Sequence, residues 1–229
     1  MCMVGTATNL TLLQRRCGHA CTLVRDHVFG ITRTIFFEVG VGSGTGLPSS
    51  ARPAFRFGSA ADLKTFNQET YEYGKTEKQF GFERLDRGDS LIIGESNGAV
   101  VFYAWLMYAQ VDLGQNVLVP VWSEAAYSYR VFTVERARGL GICAAYYAHI
   151  QTLLWKQGYR RLICRISPWN SQSLRAHTRV GFQRRGLLWR LITAGHETYY
   201  ADGAMRAWLP PVISADYFSR SGFLRKYDI

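Results

Sequence analysis

Residues 129–157 read YRVFTVERARGLGICAAYYAHIQTLLWKQ, a strand-like run, a short Arg/Gly junction and then a long uncharged run. That order constrains the chain more than any other feature. From Gly139 to Trp155 there are 17 residues without a charge, including Gly, His and Gln. A membrane span needs about 20 mostly apolar residues, so the run is expected to be a buried helix. Ile142, Tyr146, Ile150, Leu153 and Leu154 recur at helical spacing and Gly158 stands where a helix stops, which predicts a helix over about 140–157. Strands are expected on both sides, at about 126–134 and at RRLICRIS, 160–167. A buried helix between two strands points to a layered α/β or α+β domain.

The junction has chemistry of its own. The first N–H groups of a helix lack carbonyl partners, and the helix dipole makes that end attractive to an anion. Gly139 and Gly141 let a phosphate approach the backbone, and Arg136 and Arg138 add positive charge. The same residues could equally form a glycine-containing turn with solvated arginines. Two other phosphate loops are excluded. No Gly-Lys-Ser/Thr precedes a helix, and GVGSGTG (40–46) is followed by Pro48 and Pro53 where a dinucleotide-binding helix would begin.

Charge singles out the same region. The net charge is +10, yet residues 136–190 hold eleven Lys and Arg and no Asp or Glu, so this stretch alone accounts for the excess. A polyanion or a phosphorylated small molecule is the expected partner. Elsewhere, ITRTIFFEV (31–39) reads as a strand and 41–53 as loop. Ser59 with Asp62 forms a capping-box pattern, and Asn97-Gly98 between apolar runs predicts a tight hairpin within 91–105. A short helix is expected at about 171–180, then strands at 187–194 and 198–200. The 229 residues suit one substantial core. The five cysteines are odd in number and scattered, and Arg15, Arg16 and Cys17 interrupt any signal-peptide centre; both features suit a cytoplasmic protein without a membrane span. CGHAC (17–21) resembles a metal motif, but zinc wants four ligands and no second Cys/His pair is evident, so no metal is expected.

R-x-x-G-x-G at Arg136 to Gly141, opening a helix, resembles the acyl-CoA-binding motif of the GNAT superfamily of N-acetyltransferases. Downstream, NSQSLRAHTRVGF (170–182) is similar to that family's N-x-x-A-x-x-x-Y-x-x-x-G-F segment, with Asn170, Ser173, His177, Gly181 and Phe182 in register. RGDSLIIGESNGAVVFYAWL (87–106) looks like its second and third strands. The resemblance covers roughly 53–195. It implies a GNAT fold, a central mixed twisted sheet with splayed middle strands flanked by helices. Residues 53–200 would form the acyltransferase domain, 1–52 an N-terminal extension and 201–229 a C-terminal tail, these two shaping the acceptor side or a homodimer contact.

The resemblance also implies roles. Backbone N–H groups of Arg138, Gly139 and Gly141, with Leu140 and Ile142 adjacent, would hold the diphosphate of acetyl-CoA beside Arg136. The backbone of Val131, Phe132 and Thr133 would pair with the pantetheine arm, with an N–H near Val131 polarising the thioester carbonyl. Asn170 and Ser173 would contact the arm, Asn170 also being suited to cap the helix at 171. His177 stands where the family usually has the tyrosine that protonates the departing thiolate. Imidazole can do this near neutral pH, or His177 can be a structural helix residue. The strand at 127–134 has no carboxylate for a general base. Glu124 and Glu135 flank it, Glu95 and Asp112 flank neighbouring strands, and each suits a solvated surface charge as well as a base. Ala137 and Thr133 replace residues frequent in the family's loop. Tyr146 and Tyr147 fit core or cleft wall, and Tyr103, Trp105 and Trp122 fit acceptor cleft or packing.

The expected reaction is acetyl transfer from CoA to a small-molecule amine by direct attack in a ternary complex. The alternatives are a longer acyl chain or an acyl-carrier protein as donor, and a non-catalytic nucleic-acid-binding or regulatory module on the same fold; the motif favours a coenzyme over nucleic acid.

Overall fold

A computed structural model of the chain describes residues 29–42, 53–66, 75–113, 117–193 and 196–217. Among the described residues the strands are β1 (Phe29–Gly40), β2 (Ala54–Phe57), β3 (Ser90–Ser96), β4 (Ala99–Tyr108), β5 (Gln110–Asp112), β6 (Leu118–Pro120), β7 (Ala125–Thr133), β8 (Arg161–Ile166), β9 (Gln183–Thr193) and β10 (His196–Ala201). The helices are α1 (Ala60–Thr65), α2 (Lys75–Asp86), α3 (Ile142–Lys156), α4 (Ser171–Arg179), α5 (Gly203–Trp208) and α6 (Pro211–Tyr217). Eight strands form one sheet in the order β10-β9-β1-β8-β7-β4-β3-β2, and β5 with β6 forms a separate hairpin.

Most neighbours in the large sheet are antiparallel. The exception is β7 with β8. A parallel pair needs a crossover, and the uncharged run supplies it as α3. Ile142, Tyr146, Ile150 and Leu154 of α3 are buried against Ala126, Leu162, Cys164 and Ile166 of the sheet. On the opposite face Phe36, Tyr127, Ile163 and Leu188 meet Met205 of α5 and Val119 of β6. Alternation along each strand explains the split, because successive side chains point to opposite faces. The β3–β4 hairpin turns at Asn97 and Gly98, both at positive φ (51° and 72°), as the sequence predicted. Ser59 and Asp62 form the expected capping box on α1.

The sheet crosses the boundary expected at residue 53. β1 lies between β8 and β9, antiparallel to both, with Ile35 opposite Ile166 and Thr32 opposite Arg190. Its apolar odd and even positions serve both cores, so this strand is internal to the sheet. The tail after 200 is likewise packed, since α5 lies on β9 with Met205 fully buried at Gly186. The CGHAC segment and residues 43–52 of the expected loop lie outside the described residues.

Candidate active site

β7 and β8 pair only from Ala125 opposite Arg161 to Ser128 opposite Cys164. Beyond that point each strand stays with its other neighbour. Tyr129 and Phe132 remain on β4, and Arg165 and Ile166 remain on β1. The middle strands therefore splay, and a cleft of about 600 Å³ opens between them. Val131, Asn170, Ser173 and His177 line it together with Tyr147 and Cys164. Thr32 and Thr34 of β1 also line it, so a segment expected outside the domain forms part of its wall.

The pairing of β7 with β4 carries a bulge. Tyr103 faces Phe132 and Trp105 faces Tyr129, so Arg130 and Val131 together oppose Ala104. Arg130 takes φ 50°. Two residues against one leave a ladder position unfilled, which turns backbone near Val131 away from β4 beside the cleft. Phe132 is held by Tyr103 (centroids 5.3 Å apart), and the carbonyl of Thr133 accepts from Nε of Arg138 at 3.2 Å. That bond folds Arg138 back over the Phe132 ring.

After β7 a 3₁₀ turn, Glu135–Ala137, leads to the glycine loop. Gly139 and Gly141 both have positive φ (80° and 74°), and Gly141 is the N-cap of α3. Gly139, Leu140 and Gly141 are exposed and no described residue accepts from their N–H groups, whereas the Arg138 N–H, expected among the phosphate donors, is taken by the Glu135 carbonyl oxygen at 3.1 Å. The N–H groups of the first helical turn, starting at Ile142, add to this set. No heavy atom lies within 4 Å of a Cβ placed on either glycine. The loop is thus an open nest of unpartnered amides at the head of a 15-residue helix, with Arg136 alongside. These residues fit a coenzyme diphosphate.

Asn170 caps α4, its side-chain oxygen accepting from the N–H of Ser173 at 2.9 Å. His177 differs from the sequence expectation of a direct proton donor. It is 4% exposed, and both ring nitrogens are engaged. Nδ1 lies 2.7 Å from the Ser173 carbonyl oxygen, which can only accept, so Nδ1 carries the proton of the neutral ring. Nε2 then accepts from the Tyr147 hydroxyl at 2.6 Å. Burial lowers the His177 pKa, partly offset by the Ser173 carbonyl. Burial also holds the Tyr147 hydroxyl and the Cys164 thiol well above their usual values, so both stay protonated.

The two glutamates proposed as bases do not reach the cleft. Glu124 precedes β7 at the closed end of the splay and pairs with Arg161 at 3.5 Å. Glu135 is exposed in the 3₁₀ turn, and Glu95 is paired to Arg56. Asp112 does line the cleft. So does Tyr129, and its hydroxyl donates to Asp89, a carboxylate 6% exposed in the turn between α2 and β3. Arg87 pairs with the same carboxylate at 2.6 Å. Strand β7 has no carboxylate of its own, but this hydrogen bond brings one to it. Sequence reasoning missed the pair because the partners lie 40 residues apart. Tyr103 and Trp105 are buried core residues and Trp122 packs on Trp208, none of them in the cleft.

The sequence model of the acetyltransferase (GNAT) family matches residues 56–182, more than half of the chain. The chain belongs to this family. Membership carries the enzyme class, an N-acetyltransferase. No curated protein sequence matches the chain. Solved structures share the fold. One is a functionally unknown conserved protein from Staphylococcus epidermidis (10% identity, TM-score 0.51, 77% of this chain and 67% of that one). Another is a Drosophila protein (13% identity, TM-score 0.53, 79% and 58%). A third is a GCN5-related glucosamine N-acetyltransferase region of a fungal multi-domain β-N-acetylglucosaminidase (18% identity, TM-score 0.51, 76% and 22%). This chain therefore spans two thirds or less of these proteins. No described helix is long and apolar enough to cross a membrane.

Proposed function

We propose that this acetyltransferase moves an acetyl group from acetyl-CoA to a primary amine by direct attack in a ternary complex. One observation carries the reading: β7, whose splay from β8 opens the cleft, runs on through a single 3₁₀ turn to the unpartnered amides of Gly139, Leu140 and Gly141. A diphosphate at those amides leaves a thioester arm a path into the cleft past Val131 and Asn170. Backbone N–H near Val131 stabilises the oxygen as charge develops. The amine nitrogen bonds to the carbonyl carbon and the carbon–sulfur bond breaks. The amine proton goes to the Tyr129 hydroxyl as Tyr129 passes its own to Asp89. The sulfur receives the Tyr147 proton, and the Tyr147 oxygen is reprotonated from solvent, after which it again donates to Nε2 of His177. Cys164, buried and held as the thiol, is a poor nucleophile, which favours direct transfer over an acyl-enzyme.

The test is free-thiol release from acetyl-CoA across amines, amino sugars, amino acids and peptides, with calorimetry of CoA binding beside it. Amine-dependent thiol release and binding heat are expected. A folded protein that gives no heat with CoA refutes the reading. Faster turnover of long-chain thioesters removes acetyl as the group transferred.

A further inference from the structure

Resting on the transferase reading, the wall of the cleft facing away from α3 carries information about the acceptor. Tyr127, Ile163 and Leu188 belong to that face, and strand alternation places Tyr129, Arg165 and Arg190 on it with them. Arginine dominates its charge. Arg84, Arg87, Arg130, Arg165 and Arg190 line the cleft, and Asp112 is the lone carboxylate lining it among the described residues. Two of the five are compensated from behind, Arg87 by Asp89 and Arg190 by Glu197. The Arg84 guanidinium is fixed over the rings of Trp105 and Tyr129, 5.4 and 5.7 Å from their centroids. Arg165 makes no ion pair among the described residues. It sits one residue past the last β7–β8 pair, level with Tyr129, where the strands begin to part.

We infer that the acceptor is an anionic amine, carrying a carboxylate or phosphate that Arg165 grips at the crotch of the splay while its amino group faces the thioester. A guanidinium offers a planar fork of donors matched to either anion. A polycationic acceptor such as a polyamine would instead meet the Arg165 guanidinium at the crotch, and like charges reject a wrong partner as effectively as contacts select a right one.

The experiment compares matched acceptors with acetyl-CoA: alanine against alaninamide for the carboxylate, glucosamine 6-phosphate against glucosamine for the phosphate, and spermine as the cationic control. In at least one pair the acidic member is expected to exceed its neutral partner by about tenfold or more in kcat/KM. Arg165→Gln should raise KM for that acceptor by about tenfold or more and leave CoA affinity unchanged, with Arg165→Lys recovering part of the loss. CoA titration and melting of each variant show that it is folded. The inference is overturned if neutral amines or spermine are used as well as the acidic ones. It is also overturned if a CoA-binding enzyme acetylates no anionic amine, or if Arg165→Gln leaves KM in place. Absence of CoA binding to the wild type overturns the transferase reading itself, and this inference with it.

Discussion

Gly141 tests the amide nest most directly. Its φ of 74° lies in the left-handed region, and a Cβ there would touch nothing within 4 Å. Gly141→Ala therefore perturbs backbone conformation alone. An L-residue in that region costs about 1–2 kcal/mol. For a chain of this size each kcal/mol corresponds to about 2–4 °C in Tm, so a loss of about 2–8 °C is expected. If the loop relaxes to relieve the strain, at least one N–H turns from the diphosphate. A hydrogen bond to a charged group contributes about 1.5–3 kcal/mol, which is about ten- to 150-fold in Kd for CoA. Asparagine tolerates the left-handed region, so Gly141→Asn should regain most of both losses. Calorimetry and thermal melting read the two quantities separately. An alanine variant that melts low yet binds CoA with unchanged Kd removes these amides from the binding site. Equal melting of the alanine and asparagine variants refutes the backbone explanation.

The other predictions concern the buried pairs and one close contact. Tyr147→Phe leaves Nε2 of His177 without its donor; it should cost about 1–3 kcal/mol in urea unfolding and lower kcat with little change in CoA affinity. Burial holds the His177 pKa below its ordinary 6.5, so the unfolded chain takes up the proton first as pH falls. Stability from this source is intact above about pH 6.5 and declines below it, and His177→Gln should flatten the loss between pH 7.5 and 5.5. His149, also lowered by burial, provides the parallel variant, whose smaller effect would separate the two contributions. Asp89→Asn should reduce kcat about a hundredfold with CoA affinity unchanged; an undiminished kcat excludes the Tyr129–Asp89 route. Gly186→Ala places a Cβ 2.4 Å from the Met205 backbone nitrogen and must lift α5 from β9, lowering Tm without changing CoA affinity, because α5 contributes nothing to the cleft.

Features that depend on neighbours in sequence were legible from the sequence alone. Helix α3, its glycine N-terminus, the Asn97-Gly98 hairpin and the Ser59–Asp62 cap are all local, since spacing, φ preference and side-chain reach act within a few residues. The open, positive-φ geometry of the Gly139–Gly141 junction followed from the same local rules. Three features were decided only when distant segments met. β1 became an internal strand because its two apolar faces fill cores on both sides of the sheet, which no pattern within 29–40 announces. His177 was readable as titratable, but its neutral, doubly bonded state comes from Tyr147 on another helix and from burial. The carboxylate that β7 lacks arrives from Asp89 across the sheet, and Arg165 and Arg190 come to line one cleft only where β8 and β9 turn them to the same face. Local geometry is written in spacing, whereas proton affinity and charge balance depend on which residues long-range packing brings together.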